Sequence, residues 1–208
     1  MTAKDIADNA PTVEGYVARE GDIKYQDMNG DGIINRFDEV AIGTQKPLIY
    51  GGLQAGIEWK GIAFSFLLQG AQNRDVLITG NDGWEFVELS TEGAYSQAQQ
   101  MHLDRWTPQT AATASYPRLS VGPNINNKIS NSSYWLRSGN YLRLKNIELA
   151  YSLPNTLIRR IGLSSATFFV NGYNLVTFTK LKNLDPENPY ISSYPNMKVT
   201  NFGLRIKL

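Results

Sequence analysis

The chain has 208 residues, of which 42% are hydrophobic and 19% are charged. This length allows one large domain or two small ones, with enough apolar residues to fill a core. The formal net charge of +1 gives no electrostatic reason to expect nucleic acid or acidic partners. Because the chain contains no Cys, disulfides, thiolate nucleophiles and cysteine-ligated metal sites are excluded.

The N-terminal stretch MTAKDIADNAPTVEG has no basic segment leading into an apolar run, which is not the pattern of a secretory signal. The sequence also lacks a stretch of about 18 apolar residues for a membrane-spanning helix. We therefore expect any membrane role to depend on strands.

Residues 25–40, YQDMNGDGIINRFDEV, place oxygen donors at alternate positions around Gly32. Ca²⁺ takes about six to eight oxygen ligands, and this spacing matches the loop of an EF-hand. The preceding REGDIKYQ is typical of strand or coil, so an isolated structural calcium loop over residues 27–38 is predicted. The alternative is a hydrogen-bonded turn without metal, since Asp and Asn are also turn formers. The predicted calcium ligands are Asp27, Asn29, Asp31, the carbonyl of Ile33, and Asp38.

Segments of alternating apolar and polar residues predict the strands. Residues 53–60 and 62–69 alternate on either side of Lys60–Gly61, which predicts a β-hairpin. The last segment, VTNFGLRIKL, repeats the pattern. In YLRLKNIELAYSLP, residues 141–154, the alternation changes phase, and we expect Arg143 and Lys145 to lie on the outward, apolar face with Ile147. The faces of SATFFVNGYN are not assigned.

These strands suit either a β-sandwich, with the apolar face inward, or an outer-membrane barrel, with the apolar face toward lipid. The turn at residues 60–61 and the segment 155–165 are short, whereas residues 71–140 and 180–196 form long connections. Short connections at one end and long loops at the other are typical of an outer-membrane barrel.

Enzymatic activity is not expected. The sequence has no HExxH, GxSxG or Gly-rich phosphate loop, and its single histidine, His102, lies in the polar run SQAQQMHLDRW. We expect this histidine on a solvated helix face, within a helix predicted to end near Trp106.

Several stretches in one order carry a family resemblance: GDIKYQDMNGDGIINRFDEVAIG, RWTPQT followed by YPRLS, SSYWLRSGNYLRLKNIELAYSLP, FFVNGYNLVTFTKLKNLDPENP and the last strand. Together they resemble the C-terminal part of the SusC/RagA family of TonB-dependent outer-membrane transporters. The resemblance implies a large barrel with an N-terminal plug, a SusD-like surface lipoprotein that captures glycans or peptides, and opening of the plug by TonB.

The resemblance also implies a fold class and a location. We expect an all-β fold of about five antiparallel strands, from the C-terminal part of a Gram-negative outer-membrane barrel, with long extracellular loops, a short helix and the calcium loop. The plug and most of the barrel are missing, so the chain is not expected to transport alone. Residues 1–45 are predicted to be an extracellular loop and residues 46–208 to be barrel strands, with the C-terminus periplasmic.

The long loop supplies candidate substrate contacts, because exposed aromatic rings can stack on sugars. The alternative is that a large loop needs a small core of its own and interfacial anchors. On the strands, Arg143, Asn171 and Asn174 could contact substrate, although strand polarity alone also places polar residues there. The predicted substrate-binding residues of the loop and its following strand are Trp84, Trp106, Trp135 and Arg137.

Two other function classes stay open from the residues alone. A soluble calcium-binding β-sandwich or adhesin-like module explains the calcium loop and the two-faced strands, but not the uneven loop lengths. A glycan hydrolase needs a pair of carboxylates in one cleft, and no such pair is recognisable outside the calcium loop.

Overall fold

A computed structural model of the chain describes residues 1–86, 98–120, 124–159, 162–190 and 193–208. Short 3₁₀ helices cover Arg36–Asp38, Gly80–Asp82, Gln100–Asp104 and Ser133–Trp135. The helices and strands, in chain order, are α1 Ala3–Ala7, β1 Thr12–Val13, β2 Ile33–Ile34, β3 Ile49–Trp59, β4 Ile62–Gln72, β5 Asp75–Leu77, β6 Leu136–Ser138, β7 Tyr141–Ser152, α2 Asn155–Ile158, β8 Ser165–Thr179 and β9 Val199–Lys207.

The chain divides into two compact units. The first contains residues 1–43 and 77–136, and the second contains residues 44–76 and 137–208. This division differs from the expected boundary after residue 45, because most of the long loop packs with the N-terminal segment. Sequence order alone does not reveal this pairing of distant segments.

The second unit contains the predicted five-stranded antiparallel sheet, and its strand order is β3-β4-β7-β8-β9. The predicted hairpin joins β3 to β4, and both residues of its turn have positive φ, 48° at Lys60 and 84° at Gly61. Positive φ at both central residues matches the right-handed twist of the flanking strands. Pro154 and α2 make the short connection from β7 to β8.

A β-bulge explains the phase change in β7. Leu67 pairs with Asn146 but Leu68 pairs with Leu144, so Lys145 is an extra residue in the strand. A bulge of this kind changes the face on which the preceding side chains lie. The expectation that Arg143 and Lys145 lie on the outward face is therefore wrong: Arg143 lies on the polar face and is 1% exposed, and the Lys145 ammonium binds on that same side.

Residues that pair directly across neighbouring strands lie on the same face of a sheet. Two neighbouring rows of such residues separate the two faces of this sheet most clearly. Both rows cross all five strands, so the sheet has one apolar and one polar face. The apolar row is Ile57, Phe64, Leu149, Val170 and Phe202, and the polar row is Gly56, Ser65, Glu148, Asn171 and Asn201.

The apolar face is uncovered in the second unit. Ile57 is 67% exposed, Leu149 51% and Phe202 78%. A sandwich would bury these side chains against a second sheet, whereas a barrel presents them to lipid. From Phe168 to Phe178 along β8 the apolar side chains span about 33 Å at ~3.3 Å per residue, enough to cover the hydrocarbon thickness of a bilayer.

The first unit is held by a small aromatic core rather than by regular structure. Ile23, Tyr116 and Trp135 are buried together, and Tyr25, Leu77, Trp84, Leu119 and Tyr134 pack against them. The rings of Trp135 and Tyr134 lie 5.0 Å apart, edge to face, and those of Trp135 and Tyr116 lie 5.6 Å apart. Edge-to-face pairs at such separations are favourable. The described residues include no helix that is long and apolar enough to span a membrane.

Asp22 is the centre of a buried polar network in the first unit. Asp22 is 3% exposed and accepts hydrogen bonds from Arg118 Nε at 2.7 Å, Asn127 Nδ2 at 2.9 Å and the Tyr16 hydroxyl at 2.9 Å. Buried charges are tolerated when they are compensated in this way. This network ties residues 16–22 to Arg118 and Asn127.

His102 is part of the same interior, and the expectation of a solvated histidine is wrong. The side chain is 1% exposed, its Nδ1 accepts from the Gln99 amide at 2.8 Å, and its Nε2 lies 3.2 Å from the Gly83 carbonyl. Residues 100–104 form a 3₁₀ helix rather than the end of a long helix, and residues 87–97 of the predicted helix lie outside the described part of the chain.

Replacing Gly21 by alanine is expected to destabilise the first unit. Gly21 has φ of 81°, and a Cβ there would come within 3 Å of the Trp106 ring. The left-handed backbone alone costs about 1–2 kcal/mol for a side-chain-bearing residue. Gly15→Ala is the matched control, because Gly15 has φ of 74° but no heavy atom within 4 Å. Hydrogen exchange in residues 98–120 measures the difference in stability between the two variants. Equal effects of the two variants would show that the Trp106 contact is unimportant.

Candidate functional site

The predicted calcium loop is an ordered series of turns. Asp27 accepts hydrogen bonds from the amides of Gly30 at 2.6 Å and Gly32 at 2.8 Å, one at each carboxylate oxygen. The two glycines have φ of 80° and 83°, a left-handed conformation that glycine adopts without steric cost. Ile34 is 7% exposed, so β2 fixes the end of the loop through a buried side chain.

The other predicted ligands lie in the same loop. Asp31 Oδ1 accepts from the Ile33 amide at 2.9 Å, and Asn29 Nδ2 donates to Asp31 Oδ2 at 2.9 Å. Asp38 accepts from the amides of Met28 and Asn35, each at 2.8 Å. The amides of Asn35 and Met28 hold the pKa of the Asp38 carboxyl below its usual range.

Both interpretations of the loop remain compatible with this geometry. Asp27 and Asp38 each use two of about four acceptor positions for loop amides, which leaves capacity for a cation. The donors are all oxygens, the ligand type that Ca²⁺ requires. Within the described residues, however, no three His, Cys, Asp or Glu side chains are gathered closely enough to hold a metal ion.

The predicted substrate-binding aromatic residues have different environments. Trp135 is 2% exposed and its Nε1 donates to the Asn127 carbonyl at 2.9 Å, so its side chain belongs to the core and has no surface for a ligand. Trp84 is half-buried, with its ring 6.5 Å from that of Trp135. Trp106 is half-buried against Gly21, and Arg137 is exposed in β6. A substrate role for these last three stays a prediction.

Two further strand residues were candidates for substrate contact. Asn171 donates to Glu148 at 3.4 Å and accepts from Asn201 at 2.9 Å on the polar face. Asn174 has φ of 53° beside the β7 bulge, and its Nδ2 donates to the Met197 carbonyl at 3.1 Å. Asn174 therefore lies at an irregularity within β8, where its positive φ interrupts the regular strand pairing.

The guanidinium of Arg143 makes several hydrogen bonds in the second unit. It donates to Glu187 Oε2 at 2.6 Å and to both oxygens of Asp185 at 2.8 Å, while its Nε donates to Thr177 Oγ1 at 2.9 Å. Burial alone raises the pKa of the Asp185 carboxyl, but hydrogen bonds from Arg143 and the Glu187 amide outweigh it and hold that pKa below its usual range.

Sequence reasoning missed this ion-pair cluster. A signal was present, since Asp185 and Glu187 lie in NLDPENP and Arg143 lies in YLRLKNIELAY, both among the stretches that carry the family resemblance. Their pairing depends on the bulge at Lys145, whose effect on the strand faces was not worked out.

Comparisons with known proteins agree with the architecture. TonB-dependent receptor P26 of Formosa agariphila is 30% identical over 200 residues, covering 89% of this chain and 19% of the receptor. TonB-dependent receptor P3 of the same organism is 28% identical over 198 residues, covering 88% of this chain and 18% of the receptor. No family model matches the chain.

Solved structures also match this chain in fold. The RagAB peptide importer in the 'open-open' state matches with a TM-score of 0.60 and 28% identity, covering 80% of this chain and 18% of the matched chain. The RagAB peptide transporter matches with a TM-score of 0.63 and 26% identity, covering 84% of this chain and 19% of the matched chain. The chain thus spans less than a quarter of each of these relatives. By sequence and by fold, and as its motifs predicted, it belongs to the SusC/RagA-like TonB-dependent receptors.

Proposed function

We propose that this chain forms part of the barrel wall of a TonB-dependent outer-membrane nutrient importer. The observation that carries the proposal is the exposed apolar row from Ile57 to Phe202, directly beside a polar row from Gly56 to Asn201. A sheet with these two faces fits a barrel wall with lipid outside and water inside. The rest of the receptor pairs with the outer edges of β3 and β9, because unpaired backbone groups are costly in lipid.

The proposed orientation places the short connections and the C-terminus in the periplasm. The hairpin turn at Lys60–Gly61 and the α2 connection lie at one end of the sheet, and the connections after β4 and β8 lie at the other. Trp59 and Tyr151 lie on the apolar face at the short-turn end, where aromatic residues of a barrel mark the membrane interface. The residues of the first unit are then extracellular.

The proposed partners are those that the family implies. A SusD-like surface lipoprotein captures the substrate, and TonB acts on the plug, which lies outside this chain. The solved relatives are described as a peptide importer and a peptide transporter, which supports peptide as the substrate, with glycan as the alternative.

Growth of the host tests nutrient import directly. Deletion of the gene for the full receptor is expected to prevent growth on peptides as the sole nutrient source, and re-expression is expected to restore it. Loss of growth on polysaccharide instead would identify glycan as the substrate. Unchanged growth on both would contradict the proposed import function. Purification of the tagged receptor tests whether a lipoprotein accompanies it.

We also propose that residues 27–38 bind Ca²⁺ as a structural ion. The support is the spacing of the oxygen donors and the free acceptor capacity of Asp27 and Asp38. Extracellular calcium modules commonly bind at about 10⁻⁴–10⁻³ M, and a ligand at 100 times its Kd stabilises the bound state by about 2.7 kcal/mol.

Calcium titration of the purified receptor, read by protease protection of residues 25–40, is expected to show saturable protection. Asp27→Ala is expected to abolish it. Asp8→Ala, which removes an acidic side chain outside the loop, is expected to leave it intact. Protection that is independent of calcium in the unmodified receptor would favour the metal-free turn.

A further inference from the structure

The segment between β8 and β9 lies against the polar face of the sheet. We name its described residues, 181–190 and 193–198, the strap. Leu181, Pro186 and Pro189 of the strap are buried, although the described residues of the strap form no helix or strand. Its position is therefore fixed by side chains rather than by a backbone ladder.

Arg143 is the centre of the attachment. Its three guanidinium nitrogens reach the strap carboxylates Asp185 and Glu187 and the β8 residue Thr177, and its side chain is 2% exposed. Both contacts to Asp185 come from one nitrogen at 2.8 Å. Hydrogen bonds between ionised groups are shorter and stronger than neutral ones, and their strength is greatest away from water.

Other strand residues complete the attachment. Glu187 also accepts from Lys145 Nζ at 2.9 Å, from the Tyr141 hydroxyl at 3.0 Å and from Gln69 Nε2 at 3.0 Å. Arg74, just after β4, donates to the Pro186 carbonyl. Within the strap, Asp185 accepts from the Asn196 amide at 3.3 Å, which connects its two described parts. Residues on or next to β4, β7 and β8 thus hold the strap.

The attachment leaves Arg143 little surface for a ligand, since its side chain is only 2% exposed. Its guanidinium is shared between two carboxylates, and the cluster as a whole balances Arg143 and Lys145 against Asp185 and Glu187. An anionic substrate would have to displace a strap carboxylate to reach Arg143. Arg143 is therefore a positioning residue rather than a substrate contact.

The strap itself carries exposed aromatic side chains. Tyr190 is 47% exposed and Tyr194 is 79% exposed, on either side of residues 191–192, which lie outside the described part of the chain. A tyrosine gives a ligand a flat apolar ring and a hydroxyl at low entropic cost, because the ring has few rotatable bonds.

We propose that the strap, fixed by Arg143, forms the peptide-contacting surface over this end of the polar face, with Tyr190 and Tyr194 as its contact residues. This inference rests on the proposed import function. Peptide is the class favoured by the importers that the chain resembles. The strand side chains beneath the strap serve to hold it.

Four variants of the full receptor test the attachment of the strap and its contact with peptide separately. Arg143→Met removes the attachment and keeps the length of the side chain. Tyr190→Ala with Tyr194→Ala removes the contact rings and leaves the attachment. Arg205→Met is the matched control, because Arg205 lies on the same face and pairs with Glu148 at 3.3 Å but makes no bond to the strap. Asp185→Asn replaces Arg143→Met if that variant does not assemble. It weakens the attachment less, because the contact between Arg143 and Glu187 remains.

Hydrogen exchange is measured on each variant in outer membranes, and uptake is measured in intact cells. Arg143→Met, or Asp185→Asn in its place, is expected to speed exchange in the strap by at least about tenfold while β7 and β8 stay protected. The double tyrosine variant is expected to leave exchange unchanged and to lower uptake of a labelled peptide severalfold. The control is expected to change neither.

Each contrary result would overturn one part of the proposal. Unchanged strap exchange in the attachment variants would overturn the role of Arg143. Wild-type peptide uptake by the double tyrosine variant, or an effect on a labelled oligosaccharide alone, would overturn the peptide-contacting surface. A wild-type receptor that takes up neither probe would instead contradict the proposed import function, and the exchange measurement would still decide whether the strap is attached as described.

Discussion

Phe202→Arg is expected to impair assembly of the receptor into the outer membrane, whereas Asn201→Arg is expected to be tolerated. Phe202 is 78% exposed at the end of the apolar row, and the neighbouring Asn201 ends the polar row. An arginine on the lipid face of a barrel costs about 2–4 kcal/mol near the bilayer midplane and about 0–1 near the interfaces. The two variants add the same charge to adjacent positions of one strand, so they differ only in the face that receives it.

The measurement is the amount of folded receptor in the outer membrane and its resistance to urea after purification. A loss confined to Phe202→Arg confirms that this face contacts lipid. Equal behaviour of the two variants, or a greater loss for Asn201→Arg, would contradict the assignment of the faces.

Trp135→Ala is expected to unfold the core of the first unit. The side chain is 2% exposed, packs against Tyr116 and Tyr134, and fixes the Asn127 carbonyl through its indole N–H. Replacing a buried tryptophan by alanine costs about 3–5 kcal/mol, through lost burial and the cavity that remains. Trp135→Phe keeps part of the ring contacts and is expected to cost less.

Hydrogen exchange in residues 124–136 measures this loss of stability. Leu103→Ala is the control within the same unit, since Leu103 is 71% exposed. Loss of substrate uptake in Trp135→Ala with unchanged exchange would contradict the core assignment and restore a direct role in binding. Faster exchange in the alanine variant, with little change in the control, confirms that the residue acts through folding.

Local patterns were sufficient to predict much of the sheet. Alternation on either side of Lys60–Gly61 predicted β3, β4 and their turn, because a strand with one apolar face must repeat every two residues. The same rule failed upstream of Asn146. Strict alternation assumes an uninterrupted strand, and the bulge at Lys145 moves Arg143 to the other face.

Contacts between distant parts of the chain were not predictable in this way. The burial of His102 depends on Gly83 and Gln99, and that of Trp135 depends on Ile23 and Tyr116. An isolated polar run resembles a solvated helix until its partners are known. The turns of the calcium loop, by contrast, were visible in the sequence because Asp27, Gly30 and Gly32 act locally.

The separation of the two faces of the sheet is the central claim, and cysteine labelling along β8 tests it most directly. This chain has no cysteine, so Val170→Cys and Asn171→Cys each introduce one reporter into it, in a receptor otherwise free of cysteine. With a fluorescent label at each position, we expect lipid-borne quenchers to act on position 170 and water-soluble quenchers to act on position 171. Quenching of both positions from water, with no effect of the lipid-borne quencher, would contradict the barrel-wall account.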